Sequence, residues 1–286
     1  MYADGSNEWG LILSSVADGT RPASAFGTAV TPGSTTYGSY AQLISGANVT
    51  DDVCRIVVRV NNVGISGSAR DCVVTIGCDP AGGASYTDTI VDLVCGPASP
   101  HTPAASITGL GVVFDFPLFI RAGTSIAAKA AVSSVSVADI NVRVDLYCRP
   151  SNPDRIRVGT YVDTIGTIAN QAGVAIVPGG ASEGAWTQIG STLTRPYWYL
   201  ELGYGINDST MVNNTIHVDV AIGDASNKKI CISNAVILTT AGENIAKPRA
   251  GEFGKATVAD LLYARAQVGT GAADSANSIA LYGVGG

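Results

Sequence analysis

The sequence predicts an all-β protein built from two tandem jelly-roll-like β-sandwich domains that arose by internal duplication. Segments of the first half recur in the same order in the second half. Apolar residues alternate as they do in half-buried strands, and clusters of Gly, Pro, Asn and Ser separate these apolar runs. Short strands at fairly even spacing with such turn residues are typical of sandwiches and jelly rolls.

The repeat is a set of similar segments separated by a constant 146 residues. The segments that match at this spacing are 27–33 with 173–179, 38–43 with 184–189, and 72–77 with 218–223. The spacing falls to 136 residues for 126–130 with 262–266, and by one more for 145–148 with 280–283, as shortened loops would cause. Chance alone would not place so many matches in one order.

The repeat sets the domain boundaries. We predict an N-terminal arm over 1–26, the first sandwich over 27–149, a linker over 150–172 and the second sandwich over 173–286. Pro150 and Pro153 stand at the start of the linker, where they bar a continuous helix.

Strand periodicity places two cysteines in the cores. Residues 53–60 alternate with a period of two, and Cys54 falls on the apolar face where the second copy has Leu200. The same alignment sets Cys72 against Val218. Both thiols are therefore expected to fill core positions.

One segment gives conflicting signals. Residues 255–268 carry apolar side chains at helical spacing, but their counterpart, 119–132, contains the turn sequence Ala122-Gly-Thr-Ser. Because the two copies should share one structure, we expect strands in both.

Composition and charge exclude several classes of function. The chain of 286 residues is 46% hydrophobic and only 14% charged, against about 25% in average soluble proteins. Its net charge is −6 and its 17 basic residues are scattered, which argues against nucleic acid as a partner. Residues 1–10 lack the basic start of a secretory signal, and no apolar run is long enough for a membrane helix. We expect a soluble protein made in a cytoplasm, with no membrane partner.

The six cysteines indicate neither a metal nor a cofactor. They include no C-x-x-C pair, and the sequence has only two histidines. Cytoplasmic synthesis favours reduced thiols. Whether Cys78, Cys95, Cys148 or Cys231 form disulfides is left open.

Candidate catalytic residues are few. Ser182 lies in a Gly-x-Ser-x-Gly sequence, and Asp208 and His217 follow it, but no helix is expected after Ser182 as a nucleophile elbow requires. His217 and Asp219 share one strand face, where we expect a solvent-facing polar edge. Their counterparts in the first copy, Asp71 and Val73, do not repeat the pair. We therefore expect that the protein is not an enzyme.

Aromatic residues form the most suggestive surface candidates. Trp186, Tyr197 and Tyr199 could hold a ligand such as a sugar, or a partner subunit. Strand periodicity puts Trp198 in the core with Leu200, and turns Tyr197 and Tyr199 to the other face.

Several of these segments resemble a known family. Residues 116–130, Phe-Pro-Leu-Phe-Ile-Arg-Ala-Gly-Thr-Ser-Ile-Ala-Ala-Lys-Ala, are similar to the strand-turn-strand Pro-Ala-Gly-Thr-Arg-Ile-Ala-Ala-Arg of jelly-roll structural proteins in tailed-bacteriophage virions. The Gly-x-aromatic-x-Gln segments at Tyr40 and Trp186, the Ile-Gly strand ends at Gly77 and Gly223, and the terminal Leu-Tyr-Gly at 281–283 resemble that group too.

The resemblance implies a non-enzymatic virion component on the head, neck or tail, assembled in the host cytoplasm. Its expected partners are other virion proteins and further copies of itself, through subunit interfaces. In such a particle the less clearly buried thiols could cross-link neighbours. The alternative is a receptor- or carbohydrate-binding module of a tail fibre, with a host surface glycan as its ligand.

Overall fold

The structure, a computed structural model, describes residues 11–14, 27–62, 72–95, 112–132, 140–148, 157–166, 173–180, 182–206, 214–240, 243–246, 251–268 and 277–286. Regular structure in these residues is β-strand, apart from one 3-10 turn at Gly46–Asn48. The all-β prediction is confirmed. We call residues 11–148 the first half and residues 157–286 the second half.

The first half contains two facing sheets. Its strands are β1 (Leu11–Ser14), β2 (Thr28–Val30), β3 (Gly33–Ser34), β4 (Ala41–Ile44), β5 (Val53–Asn62), β6 (Cys72–Asp79), β7 (Thr87–Val94), β8 (Val112–Phe116), β9 (Ser125–Val132) and β10 (Ile140–Cys148). One sheet runs β1–β10–β5–β8, with β2 also on β10. The other runs β4–β9–β6–β7, with β3 also on β9.

The second half contains two further sheets. Its strands are β11 (Tyr161–Ile165), β12 (Val174–Ile176), β13 (Thr187–Ile189), β14 (Tyr197–Ile206), β15 (Asn214–Gly223), β16 (Lys228–Thr240), β17 (Glu243–Ala246), β18 (Gly251–Ala256), β19 (Leu261–Val268) and β20 (Asn277–Gly285). The sheets run β11–β20–β14–β18, with β12 also on β20, and β13–β19–β15–β16–β17.

Both halves have the same connectivity. The order β1–β10–β5–β8 in the first half corresponds to β11–β20–β14–β18 in the second. The order β4–β9–β6–β7 corresponds in the same way to β13–β19–β15–β16, as in two eight-stranded jelly rolls. The predicted jelly-roll-like sandwiches are therefore confirmed. Their common origin by duplication stays a prediction, which the shared order supports.

Pairing registers align the halves strand by strand. Ile56 faces Leu146 in the first half, and Leu202 faces Leu281 in the second. Leu202 and Leu281 are the residues that the sequence repeat aligns with Ile56 and Leu146.

Strand β6 departs from the sequence alignment by two residues. Cys72 faces Val132, whereas Val268, the counterpart of Val132, faces Ile216 and not Val218. The segment that joins β14 to β15 is two residues shorter than the one between β5 and β6. A shift of two residues keeps each side chain on its face, so Cys72 still lies in the core as predicted.

Two strands lie outside the predicted sandwiches. β1, in the predicted arm, pairs with β10. β11, in the predicted linker, pairs with β20 along Tyr161–Ile165. Each therefore widens the sheet of its own half.

The doubtful segment before β19 forms a strand, a turn and a strand, as predicted. Gly123 and Ala259 hold the same place in the two turns, and their φ angles are +82° and +78°. The second turn is closed by Asp260, whose carboxylate accepts from the Thr257 amide at 2.7 Å and from its hydroxyl at 2.8 Å. An alanine thus occupies a left-handed conformation that favours glycine.

Replacing this alanine by glycine should stabilise the protein. We expect Ala259→Gly to raise the free energy of unfolding by about 0.5–1 kcal/mol, because glycine removes the steric cost of positive φ but adds unfolded-state entropy. Urea denaturation measures the change.

Gly123→Ala is the matched control, since a Cβ there would meet nothing within 4 Å and only backbone strain is added. It should destabilise by a similar amount. If Ala259→Gly lowers stability, the turn is not strained as described.

Candidate functional site

Trp186 lies at the centre of a polar cluster on the second half. It is half-buried, and the Arg265 guanidinium sits 4.3 Å from the centre of its ring. Arg265 also pairs with Asp219 at 2.8 Å and with Glu183. One face of the predicted stacking platform is thus occupied by the protein's own arginine.

The same arrangement recurs on the first half. Tyr40 and Lys129 hold the positions of Trp186 and Arg265, and the Lys129 ammonium lies 4.8 Å from the Tyr40 ring centre. Lys129 also pairs with Asp88 at 2.8 Å. Each half therefore places a cation over an aromatic ring and beside a carboxylate. An arrangement that both halves share is expected of structural packing.

In each half a side chain of β6 or β15 supports a bulge in the neighbouring strand. In β7 the Asp92 amide donates to Thr75 Oγ1 at 3.1 Å. In β16 the Asn234 amide donates to Asp219 Oδ1 at 2.8 Å. Both Asp92 and Asn234 have positive φ, +53° and +51°.

The expectation that His217 and Asp219 form a solvent-facing polar edge is wrong for Asp219. Its side chain is buried because it bonds the bulge of β16 and the guanidinium of Arg265. His217 is half-buried, and the strand registers show that Val73 holds the equivalent position in the first half. Ser182 is exposed in a turn, strand β13 follows it, and Asp208 lies outside the described residues.

Tyr197 lies beside a cavity of about 490 Å³ at one end of the second half. Its hydroxyl donates to Asp163 Oδ2 at 2.7 Å, and Arg195 pairs with the same oxygen at 2.9 Å. Burial and the bond to Asp163 raise the pKa of the Tyr197 hydroxyl. Arg195 covers the Tyr161 ring, 4.4 Å from its centre, and hydroxyls of Thr192 and the adjacent loop complete the lining.

A register irregularity in β14 reverses the predicted faces of two aromatic residues. The strand's pairing with β18 shifts between Tyr197 and Tyr199. As a result Tyr197 packs in the core of the second half, and Trp198 packs with residues of the first half. Tyr199 stays on the face opposite Leu200, as predicted. All three side chains in this segment are buried, so only Trp186 remains near the surface among the predicted aromatics.

The two halves meet through Tyr282 of β20. Its ring is fully buried and stands edge-on to Phe114 and Phe116, with centroids 5.6 and 6.0 Å away. Its hydroxyl donates to the Asp92 carbonyl at 2.8 Å and accepts from the Val94 amide at 2.7 Å. One side chain of the second half thus closes the apolar core of the first half and pairs the edge of β7.

Neighbouring side chains extend this interface. Glu201 is 1% exposed; it accepts from the Tyr199 hydroxyl at 2.9 Å and from the Asp115 amide at 3.3 Å. The Tyr199 hydroxyl shares its single proton between Glu201 and the Asp115 carbonyl, which is 2.6 Å away. Burial raises the pKa of Glu201 well above its usual range, although the bond from Tyr199 acts in the opposite direction.

Burial on both faces explains the composition of β20. Ile279 and Leu281 face the core of the second half, whereas Ala280, Tyr282 and Val284 face the first half. A strand covered on both sides is apolar without alternation. The uninterrupted run without charged residues at 279–284 is the signal in the sequence that indicates this interface.

The thiols are mostly enclosed. Cys54, Cys72, Cys78 and Cys95 are buried, which agrees with the core positions predicted for Cys54 and Cys72. Burial of Cys78 and Cys95 argues against cross-linking of neighbours through these two thiols. Cys231 is half-buried, and burial raises its pKa to about 11. The Cys148 side chain lies outside the described residues.

Clustered metal ligands and long apolar helices are both absent from the described part of the chain. There, no group of three or more His, Cys, Asp or Glu residues is placed to hold a metal ion. No helix among the same residues is long and apolar enough to cross a membrane.

Comparisons with known proteins do not assign a family. No family model matches the chain, and no curated protein matches it. Two solved structures, described as PNGF-II in the C2 and P21 space groups, are similar with TM-scores of 0.36 and 0.37 and 9% and 10% identity. The alignments cover 88% and 89% of this chain but only 62% and 64% of those chains. At these scores the likeness supports no conclusion about function.

Removing the Tyr282 hydroxyl should weaken the joint between the halves. We expect Tyr282→Phe to lower the free energy of unfolding by about 1–3 kcal/mol, because the Asp92 carbonyl and the Val94 amide lose a partner in a buried site. Denaturant unfolding measures the loss.

Tyr147→Phe is the matched control, because Tyr147 is the counterpart of Tyr282 in the first half and is half-buried. It should change stability by less than about 0.5 kcal/mol. Equal losses in the two variants would contradict the role given to Tyr282.

Glu201→Gln should change how stability depends on pH. Above about pH 4.3 the unfolded chain ionises Glu201 while the folded protein keeps it protonated, so wild-type stability falls as pH rises towards the raised pKa. Glutamine removes this penalty. The variant should gain on the wild type by about 1.4 kcal/mol for each pH unit in that window.

Urea denaturation between pH 4 and 8 measures the difference. Glu183→Gln is the control, because Glu183 is exposed and paired with Arg265, and it should show no such gain. Parallel pH profiles for Glu201→Gln and the wild type would rule out a protonated Glu201.

Proposed function

We propose that the chain is a non-enzymatic structural component of a bacteriophage virion, placed on the head, neck or tail and acting through subunit interfaces. The observation that carries the proposal is the joint between the halves, where Tyr282 and Glu201 are buried against β7 and β8. Two jelly rolls fixed together in this way form a rigid building block. The resemblance of segment 116–130 to virion jelly rolls supplies the setting.

The polar clusters support a structural role over a catalytic one. Asp219 is engaged by Arg265 and by the Asn234 amide, and Asp88 is engaged by Lys129. Carboxylates paired in this way shape the sheets, and the buried Asp219 lacks the open approach that general acid or base chemistry needs.

The alternative, a module that binds a host glycan, has less support. Tyr197 and Tyr199 are buried and cannot offer a ring face, and Trp186 carries Arg265 on its ring. What favours the alternative is the cavity of about 490 Å³ beside Tyr197, whose size suits a small ligand.

The virion role predicts that the chain is present in intact particles. Particles purified on a density gradient from a lysate should contain it in many copies, and quantitative mass spectrometry measures its ratio to the major capsid protein. An abundant host cytosolic protein serves as the control and should be depleted from the same band. A chain that stays in the soluble fraction would exclude the proposed role.

A further inference from the structure

One strand edge of the second half is left open. β16 pairs with β15, and of the described strands only β17 lies on its other side, where it reaches no further than Ile237. We call residues 228–236 the open edge of β16. Ile230 and Val236 on it are 48% and 43% exposed.

The corresponding edge of the first half is covered. Val94 and Val236 hold the same place, since Val94 faces Val73 on β6 and Val236 faces His217 on β15. Val94 is fully buried, and its amide is bonded by Tyr282 of the second half. Of these two corresponding edges, that of β7 is covered by the second half, whereas the described residues leave that of β16 open.

The bulge in each edge decides what kind of surface can cover it. A bulge interrupts a regular ladder, so a further strand pairs poorly with it. In the first half, hydroxyl groups satisfy the bulged edge instead: Tyr282 bonds Asp92 and Val94, and Thr164 donates to the Val91 carbonyl. The open edge of β16 carries the same bulge at Asn234 and calls for a similar surface.

The chain contains such a surface in its first half. Tyr147 on β10 is the counterpart of Tyr282 on β20, and its ring is half-buried under the guanidinium of Arg55, 5.1 Å from the ring centre. Arg55 in turn holds the place of Glu201. Tyrosine and arginine are the residues that dominate contacts between separate chains.

We propose that the open edge of β16 is covered by the β5–β10 face of a second copy of this chain, with Tyr147 against Asn234 and Val236. The contact repeats between chains the joint that Tyr282 makes within one chain. Because edge and face are different surfaces, the contact is head-to-tail and builds a ring or a filament. This contact would be one of the subunit interfaces of the proposed virion component, and to that extent it rests on the proposed function.

Paired variants test the contact in the full-length chain. Val236→Lys disrupts the edge, and Tyr147→Lys disrupts the face; each should weaken self-association at least about tenfold, since a charge would be buried without a partner. Val258→Lys is the control, because Val258 is exposed in the turn before β19, away from both surfaces. Sedimentation velocity over a concentration series measures assembly, and circular dichroism verifies that each variant is folded.

Mixing the variants separates head-to-tail assembly from a symmetric one. The wild type and Val258→Lys should form higher oligomers and the two other variants should be monomers. An equimolar mixture of Val236→Lys and Tyr147→Lys should give a dimer that grows no further, because one intact edge meets one intact face and the two altered surfaces repel each other. A monomeric wild type, or a Tyr147→Lys variant that assembles normally, overturns the proposal. Either result leaves the particle measurement to judge the virion role separately.

Discussion

The buried hydroxyl of Tyr282 is the interaction on which the rest of the structure depends. A jelly roll ends at strand edges whose amides and carbonyls need partners, and β7 is such an edge in the first half. Tyr282 supplies both a donor and an acceptor there, while its ring packs on Phe114 and Phe116. Hydrogen bonding and apolar burial thus coincide in one side chain, and the two sandwiches become a single block.

The two halves differ in what they cover and what they leave open. In the sheet of the second half that faces β7, strand β20 is buried along its whole length, and Glu201 on β14 is buried too, which raises the pKa of its carboxyl group. The matching face of the first half alternates regularly, with Arg143 and Tyr147 pointing outwards. The described residues of the two halves therefore present a closed joint at β7, an open edge at β16 and a polar face on β5 and β10. That asymmetry suits directional assembly.

Local patterns in the sequence predicted the sandwiches and the strand at 53–60, because alternation and turn residues act over a few positions. The strands on either side of the Ala259 turn were predicted from the repeat, since the local pattern of 255–268 is helical. The repeat placed Cys72 correctly in a core but misplaced its counterpart by two residues, since a gapless alignment cannot see a shortened loop. The faces of Tyr197 and Trp198 were wrong because a bulge breaks the period. The joint was missed because Tyr282 bonds residues 188 and 190 positions away.

Hydrogen–deuterium exchange across protein concentration tests most directly whether one edge is closed within the chain and its counterpart between chains. The account predicts that amides of β7, at 87–94, exchange slowly at every concentration. Those amides of β16 at 228–236 that point away from β15 should become protected only as concentration rises. Exchange over 228–236 that is independent of concentration, or protection of 87–94 that is lost on dilution, would contradict it.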